Sequence, residues 1–124
     1  YEAIRSGNYE CFLSEDTALP MLFIPDAIQG TIDLMEADHS KLSLHSSYNL
    51  GGFSVTPKDI FREIKKHIPD FSVSYKPDFR QAIADSWPQI IDDSTARNNN
   101  GWKHDYDLSK MTEIMLTEIR KKFN

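Results

Sequence analysis

Tyr75-Lys76-Pro77-Asp78-Phe79-Arg80-Gln81-Ala82-Ile83-Ala84-Asp85-Ser86-Trp87-Pro88 follows a short alternating strand and precedes two helix-like segments. Lys76-Pro77 and Trp87-Pro88 hold both ends of the stretch in extended or turn backbone. Between them lie an arginine, the carboxylates Asp78 and Asp85, the hydroxyl of Ser86 and a single indole. An irregular segment of this composition, held by rigid neighbours, can face a ligand. The competing reading is a surface loop whose Trp87 plugs a gap in the core. In the first reading the indole walls a small pocket and excludes water, while Ser86 or Asp85 orients polar groups. Arg80 in the simpler case braces against Asp78 or Asp85.

Immediately upstream, Phe71, Val73 and Tyr75 alternate with Ser72 and Ser74, the pattern of a half-buried strand. Before it comes the clearest helix signal in the chain, over 57–68. Thr56 fits the N-cap, Pro57 the first helical position and Asp59 the third. Val55 and Ile60 stand as a hydrophobic staple. Ile60, Ile64 and Ile68 repeat every four residues, with Arg62, Lys65 and Lys66 on the other side. Pro69 stops the helix.

Further upstream, the first residues read as the end of a helix, with Gly7 just beyond its cap. From this we expect a chain cut from something longer. Tyr9–Leu13 and Leu19–Ile24 read as strands that could pair, with Pro20 favouring an edge or a strand start. Pro25-Asp26 opens a helix to about Ala37, with Ile28, Ile32 and Met35 as its apolar stripe. Asp26 is read as a helix cap. A polar connection covers 36–43. A strand is expected at 47–50, ended by a tight turn at Gly51-Gly52. Downstream, Ser94 caps a short helix that Asn98-Asn99-Asn100-Gly101 breaks. The last helix starts near Asp107, with Leu108, Met111, Met115 and Ile119 facing the core.

The totals narrow the function. The chain has 124 residues, enough for one domain, and a net charge of −5 without a long run of like charges. Nucleic acid and acidic membrane surfaces are therefore poor partners. No apolar run approaches the ~20 residues that span a bilayer. The single cysteine, Cys11, excludes an internal disulfide and is read as a buried strand residue. His39, His45, His67 and His104 are scattered, which argues against a metal site. Tyr106 and Lys110 match the spacing Tyr-x-x-x-Lys, but Tyr106 falls before the expected cap at Asp107. The two would not share a helix face, so the match is read as coincidence.

The segment Arg80-Gln81-Ala82-Ile83-Ala84-Asp85-Ser86-Trp87-Pro88, with Ile91-Asp92-Asp93-Ser94 after it, resembles the C-terminal signature of the L-threonine 3-dehydrogenases, in the extended short-chain dehydrogenase/reductase superfamily. Tyr9–Leu13, Pro25–Ile28, Ser47–Leu50 and Lys65–Pro69 resemble the same family. The resemblance implies an α/β fold: the C-terminal substrate-binding part of a Rossmann-type enzyme, without the dinucleotide-binding core. It implies that the strand near 47–50 and the helix at 57–68 pack on a nucleotide-binding domain outside this chain. It implies NAD as the parent's cofactor, L-threonine as its substrate, and a homodimer. It puts the enzyme in the cytoplasm of a bacterium or the mitochondrial matrix of a eukaryote. Trp87, Ser86, Asp85 and Arg80 become the expected substrate-binding residues, and this chain alone is expected to be inactive. Two alternatives stay open. One is part of a nucleotide-sugar epimerase or dehydratase, in which an arginine such as Arg80 binds a diphosphate. The other is a stand-alone binding module.

Overall fold

A computed structural model describes residues 1–123. In chain order the elements are α1 (Glu2–Arg5), β1 (Asn8–Cys11), β2 (Leu19–Met21), α2 (Ile24–Met35), β3 (Phe53–Val55), α3 (Pro57–His67), β4 (Ser72–Tyr75), α4 (Arg80–Asp85), α5 (Ser94–Asn100) and α6 (Leu108–Lys121). A single 3-10 turn, His39–Lys41, lies between α2 and β3. The fold is α/β, with two small sheets.

The first two strands, which could have paired, do not pair with each other. β1 pairs in parallel with β4, Asn8 opposite Ser72 and Cys11 opposite Tyr75. β2 pairs antiparallel with β3, Leu19 opposite Val55 and Met21 opposite Phe53. Residues 47–50 form no strand; the strand sits three residues on, at Phe53–Val55, where β2 lies beside it. Gly51-Gly52 is not a left-handed turn. Gly52 is there for close approach: a Cβ would sit 2.4 Å from the Met21 carbonyl oxygen of the paired strand.

α3 starts as its sequence dictates. The Thr56 hydroxyl accepts from the Asp59 N–H at 3.2 Å, and Asp59 accepts in return from the Thr56 N–H at 3.1 Å, a reciprocal capping box. Its most buried residue is Glu63, not an isoleucine. The Glu63 carboxylate accepts from Lys66 at 2.6 Å and from the Ser109 hydroxyl of α6 at 2.9 Å. These bonds, that from Lys66 first, hold its pKa below the ordinary glutamate value despite burial. Ile60, Ile64 and Ile68 are only half-buried.

α2 inverts its expected face. Ile28 is 56% exposed, and Ile24, Ile32 and Met35 are exposed with it. The inward face is carried by Asp26 and Gly30. At Gly30 a Cβ would lie 2.5 Å from the Trp102 ring, so only glycine lets the helix approach that indole. Asp26 is 4% exposed and does not cap α2, whose N-cap is Phe23. Its carboxylate instead accepts the backbone N–H groups of Asp105 and Tyr106, at 2.9 and 3.1 Å, and pins the approach to α6. A carboxylate satisfies backbone donors equally well in either place, and the nearer-in-sequence partner was the wrong choice.

Three smaller expectations also change. The stretch between Pro77 and Pro88 contains a helix, α4, rather than a loop. The asparagine triplet continues α5 to Asn100, and Gly101, at φ 65°, ends it. Asn99 earns its place by accepting from the Ser43 N–H, the Ser43 hydroxyl and the Tyr48 hydroxyl, at 3.0, 2.6 and 2.8 Å. In α6 the buried residues are Thr112 and Leu116, while Met115 points to solvent. Cys11, Leu13 and Ala84 form the centre of the core, with Phe12, Leu19, Val73 and Tyr75 packed around it. Among the described residues no large side chain is completely buried, so this core is open on one side.

Candidate functional site

The open side is a groove of about 610 Å³. Cys11, Leu13 and Val73 of the β1/β4 side lie along it, Ile60 and Ile64 of α3 make one wall, and Arg80, Ile83 and Trp87 of the α4 segment line the other. Its surface is overwhelmingly apolar, with Arg80 its one cationic side chain among the described residues. The half-buried isoleucines of α3 therefore face a cavity instead of a packed layer.

Of the four residues singled out from sequence, two line this groove. Trp87 is 58% exposed, and its backbone N–H donates to the Ala84 carbonyl at 3.1 Å, fixing it directly beyond the helix end. The Arg80 guanidinium stacks 3.4 Å from the Phe12 ring centroid. It also makes the expected brace: Nη2 donates to Asp78 Oδ2 at 2.6 Å, and Nε donates to the same carboxylate. That ion pair raises the Arg80 pKa and lowers that of Asp78. Arg80 Nη1 makes no hydrogen bond to the described residues. Ser86 and Asp85 point elsewhere. The Ser86 hydroxyl donates to the Ile83 carbonyl at 2.7 Å, and Asp85 accepts from Gln81 Nε2 at 2.6 Å.

A second polar centre escaped the sequence reading. Asp93, almost fully buried, accepts at once from the Gly51 N–H at 3.2 Å, from Trp102 Nε1 at 3.0 Å and from Arg97 through two bonds of 2.7 and 2.8 Å. Trp102 Nε1 also donates to the Gly51 carbonyl at 3.0 Å. The arginine holds the Asp93 pKa below the ordinary aspartate value against the opposing effect of burial. The available signal was the pair Asp93 and Arg97, one helical turn apart at the start of α5. Its distant partners, Gly51 and Trp102, had none.

These residues do not fit a dinucleotide. A phosphate cradle needs free N–H groups on a glycine-rich turn leading into a helix. At Gly51 the N–H is already taken by the Asp93 carboxylate, which would repel a phosphate, and Gly52 abuts Met21. Tyr106 and Lys110 do not share a helix face. Tyr106 precedes the α6 cap, and its ring packs edge-on to Phe23 at 5.0 Å. Lys110 Nζ sits 5.2 Å over that ring and donates to the Asp105 carbonyl. No group of three metal-ligating side chains occurs among the described residues, and no helix there is long and apolar enough to cross a membrane.

No family model matches the chain. Individual proteins do. The mitochondrial L-threonine 3-dehydrogenase of Bos taurus is 46% identical over 117 residues, 94% of this chain but 31% of that protein. An uncharacterized epimerase/dehydratase of Staphylococcus haemolyticus is 46% identical over 98% of this chain and 39% of its own length. The solved GalE-like L-threonine dehydrogenase of Cupriavidus necator superposes with a TM-score of 0.90 at 50% identity, covering 95% of this chain and 42% of that one. The chain thus spans well under half the length of the relatives it matches. Over nearly its whole length it is a homologue, in sequence and in fold, of one stretch of the L-threonine 3-dehydrogenases and of the epimerase/dehydratase proteins related to them.

Proposed function

We propose that this chain is the C-terminal, substrate-binding part of an NAD-dependent L-threonine 3-dehydrogenase, the enzyme type that oxidises L-threonine to 2-amino-3-ketobutyrate. The observation that carries the reading is Trp87, exposed at the edge of an apolar groove within the segment that resembles the family signature. In this reading the groove and the exposed stripe of α2 are covered by the parent's nucleotide-binding domain, on which α3 packs through Ile60 and Ile64. Residues 47–50, which lack a strand partner in this chain, pair with the parent sheet. Pockets concentrate where two such bodies meet, and Trp87 lies on that boundary.

The roles of the named residues follow from their surroundings. Trp87 closes over bound threonine and excludes water, which matters for holding a small zwitterion close to a reaction partner. Arg80, whose Nη1 is not used by Asp78, offers a donor to the substrate carboxylate. Asp85 and Ser86 hold the end of α4 beneath Trp87. NAD supplies hydride acceptance in the parent and is held outside this chain. The dimer of the parent and its compartment, bacterial cytoplasm or mitochondrial matrix, belong to the same reading.

The test is a chimera in which this chain replaces the matching stretch of the Cupriavidus necator enzyme. Threonine-dependent NADH formation is expected, and Trp87→Ala should lower kcat/KM for threonine at least tenfold while NAD affinity stays nearly intact, since misplacing a substrate by about 1 Å can cost ~100-fold. Unchanged threonine kinetics in a folded Trp87→Ala protein would remove Trp87 from the site. A chimera that turns over a nucleotide sugar and not threonine would favour the epimerase/dehydratase reading.

A further inference from the structure

α4 has six residues, and its N-cap position, Phe79, provides no side-chain cap. A helix this short does not stand alone in water, so something outside it must set its place. Only Ala84 of α4 is buried, and a methyl group anchors the helix without orienting it. The bond between Arg80 and Asp78 is local and exposed. Among the described residues, every side-chain hydrogen bond from α4 to a distant segment is made by Gln81. Gln81 Oε1 accepts from the Ser14 N–H at 2.8 Å, and Nε2 donates to the Thr17 hydroxyl at 3.0 Å. Nε2 also donates to Asp85 at 2.6 Å, one turn along the helix.

The two ends of the carboxamide are not interchangeable. A backbone N–H can only donate and an ionised carboxylate can only accept, so Oε1 must face Ser14 and Nε2 must face Asp85. A side chain carrying one donor group and one acceptor group at this length is needed, and glutamine is the residue that has both. Asp85 lies two residues before Trp87, and the Trp87 N–H is tied to Ala84. The clamp therefore acts on the last turn, from which the indole projects.

We infer that Gln81 is a positioning residue: by tying α4 to the turn at Ser14–Thr17 it fixes where Trp87 stands over the groove. Its importance for turnover rests on the reading of Trp87 given above; the clamp itself does not.

The first experiment follows the two tryptophan indole N–H signals of the 15N-labelled chain by NMR. Trp102, bound to Asp93 and Gly51, serves as the internal reference. Gln81→Met keeps the length and removes both hydrogen-bonding ends. Gln81→Glu keeps the acceptor but sets a carboxylate against Asp85. In each variant the Trp87 indole signal should shift and its heteronuclear NOE should fall, with Trp102 unmoved. Adding Asp85→Asn to Gln81→Glu restores a donor facing an acceptor and should return the Trp87 signal toward the parent. An unmoved Trp87 signal in Gln81→Met, or failure of the paired exchange to restore it, overturns the inference. Equal loss at both indoles also overturns it, by showing that Gln81 supports the whole fold. In the Cupriavidus chimera, Gln81→Met should lower kcat/KM for threonine about tenfold, with the NAD KM unchanged. If Trp87→Ala itself leaves threonine kinetics unchanged, the reading of Trp87 fails, while the NMR arm still decides the clamp.

Discussion

Asp93→Ala is the most informative single perturbation of the fold. It removes the shared acceptor of three donors, and the structure allows each loss to be weighed. The Gly51 N–H has no other acceptor among the described residues and is orphaned in a buried place, which costs about 1–3 kcal/mol. Trp102 Nε1 keeps the Gly51 carbonyl and loses little. The Arg97 side chain is 40% exposed and rehydrates, so its ion pair is worth only about 0–1 kcal/mol after screening. A total of about 1–4 kcal/mol follows, or a fall in Tm of roughly 10 °C for a chain of this size. Asp93→Asn should cost less, because one carbonyl oxygen still accepts, yet its amide group faces donors on the other side. The pH dependence gives an independent check. The folded pKa of Asp93 lies below its unfolded value, so the stabilisation is complete above about pH 4 and is lost as pH falls through the folded pKa. Urea denaturation across pH 3–7 should therefore show the gap between parent and Asp93→Asn narrowing on the acid side. An unmoved midpoint for Asp93→Ala at pH 7 would refute the reasoning, since it would mean the Gly51 N–H finds another partner at no cost.

The 124-residue chain by itself should form no NADH from threonine and NAD; steady formation above a no-protein blank would return Tyr106 and Lys110 to consideration as a catalytic pair. Gly52→Ala should destabilise by about 1–3 kcal/mol, because the new methyl meets a backbone carbonyl that cannot swing away; a thermal midpoint equal to the parent's would show that β2 and β3 can separate freely.

Where a rule acts over a few residues, the sequence was a good guide. The capping box of α3, the Asp107 cap of α6 and the strand at Ser72–Tyr75 are set by neighbours within one or two turns. The α/β class and the family resemblance were legible too. What failed depended on partners far along the chain or on what covers a face. Asp26 looked like a cap because the N–H groups it binds, at Asp105 and Tyr106, are about eighty residues away. The stripe of α2 was read correctly as apolar and helical, but periodicity does not say whether anything covers it. The strand expected at 47–50 fails for a related reason: a strand is a property of two segments, and the segment that pairs here, β2, meets Phe53–Val55 instead. Trp87 and Arg80, which line the groove, stood out as an indole and a cation in a loop-like stretch. Gln81 and Asp93 did not, because amides and carboxylates are common and only geometry reveals what they hold.

The parallel pairing of β1 with β4 sets the order in which the molecule can assemble. Asn8 and Ser72 are 64 positions apart, and everything from β2 to α3 lies between them. Loop-closure entropy must be met before that ladder returns any stabilisation, which makes such contacts late and slow. α3, with its cap, can form from local information alone. Among the described residues β1 finds its ladder partner only once Tyr75 has been synthesised, and Ala84, which packs with Cys11 and Leu13 at the centre of the core, follows later still. For the edge it shares with β4, β1 must therefore wait through some sixty residues of synthesis, an interval in which that unpaired edge is open to aggregation or to capture by a chaperone.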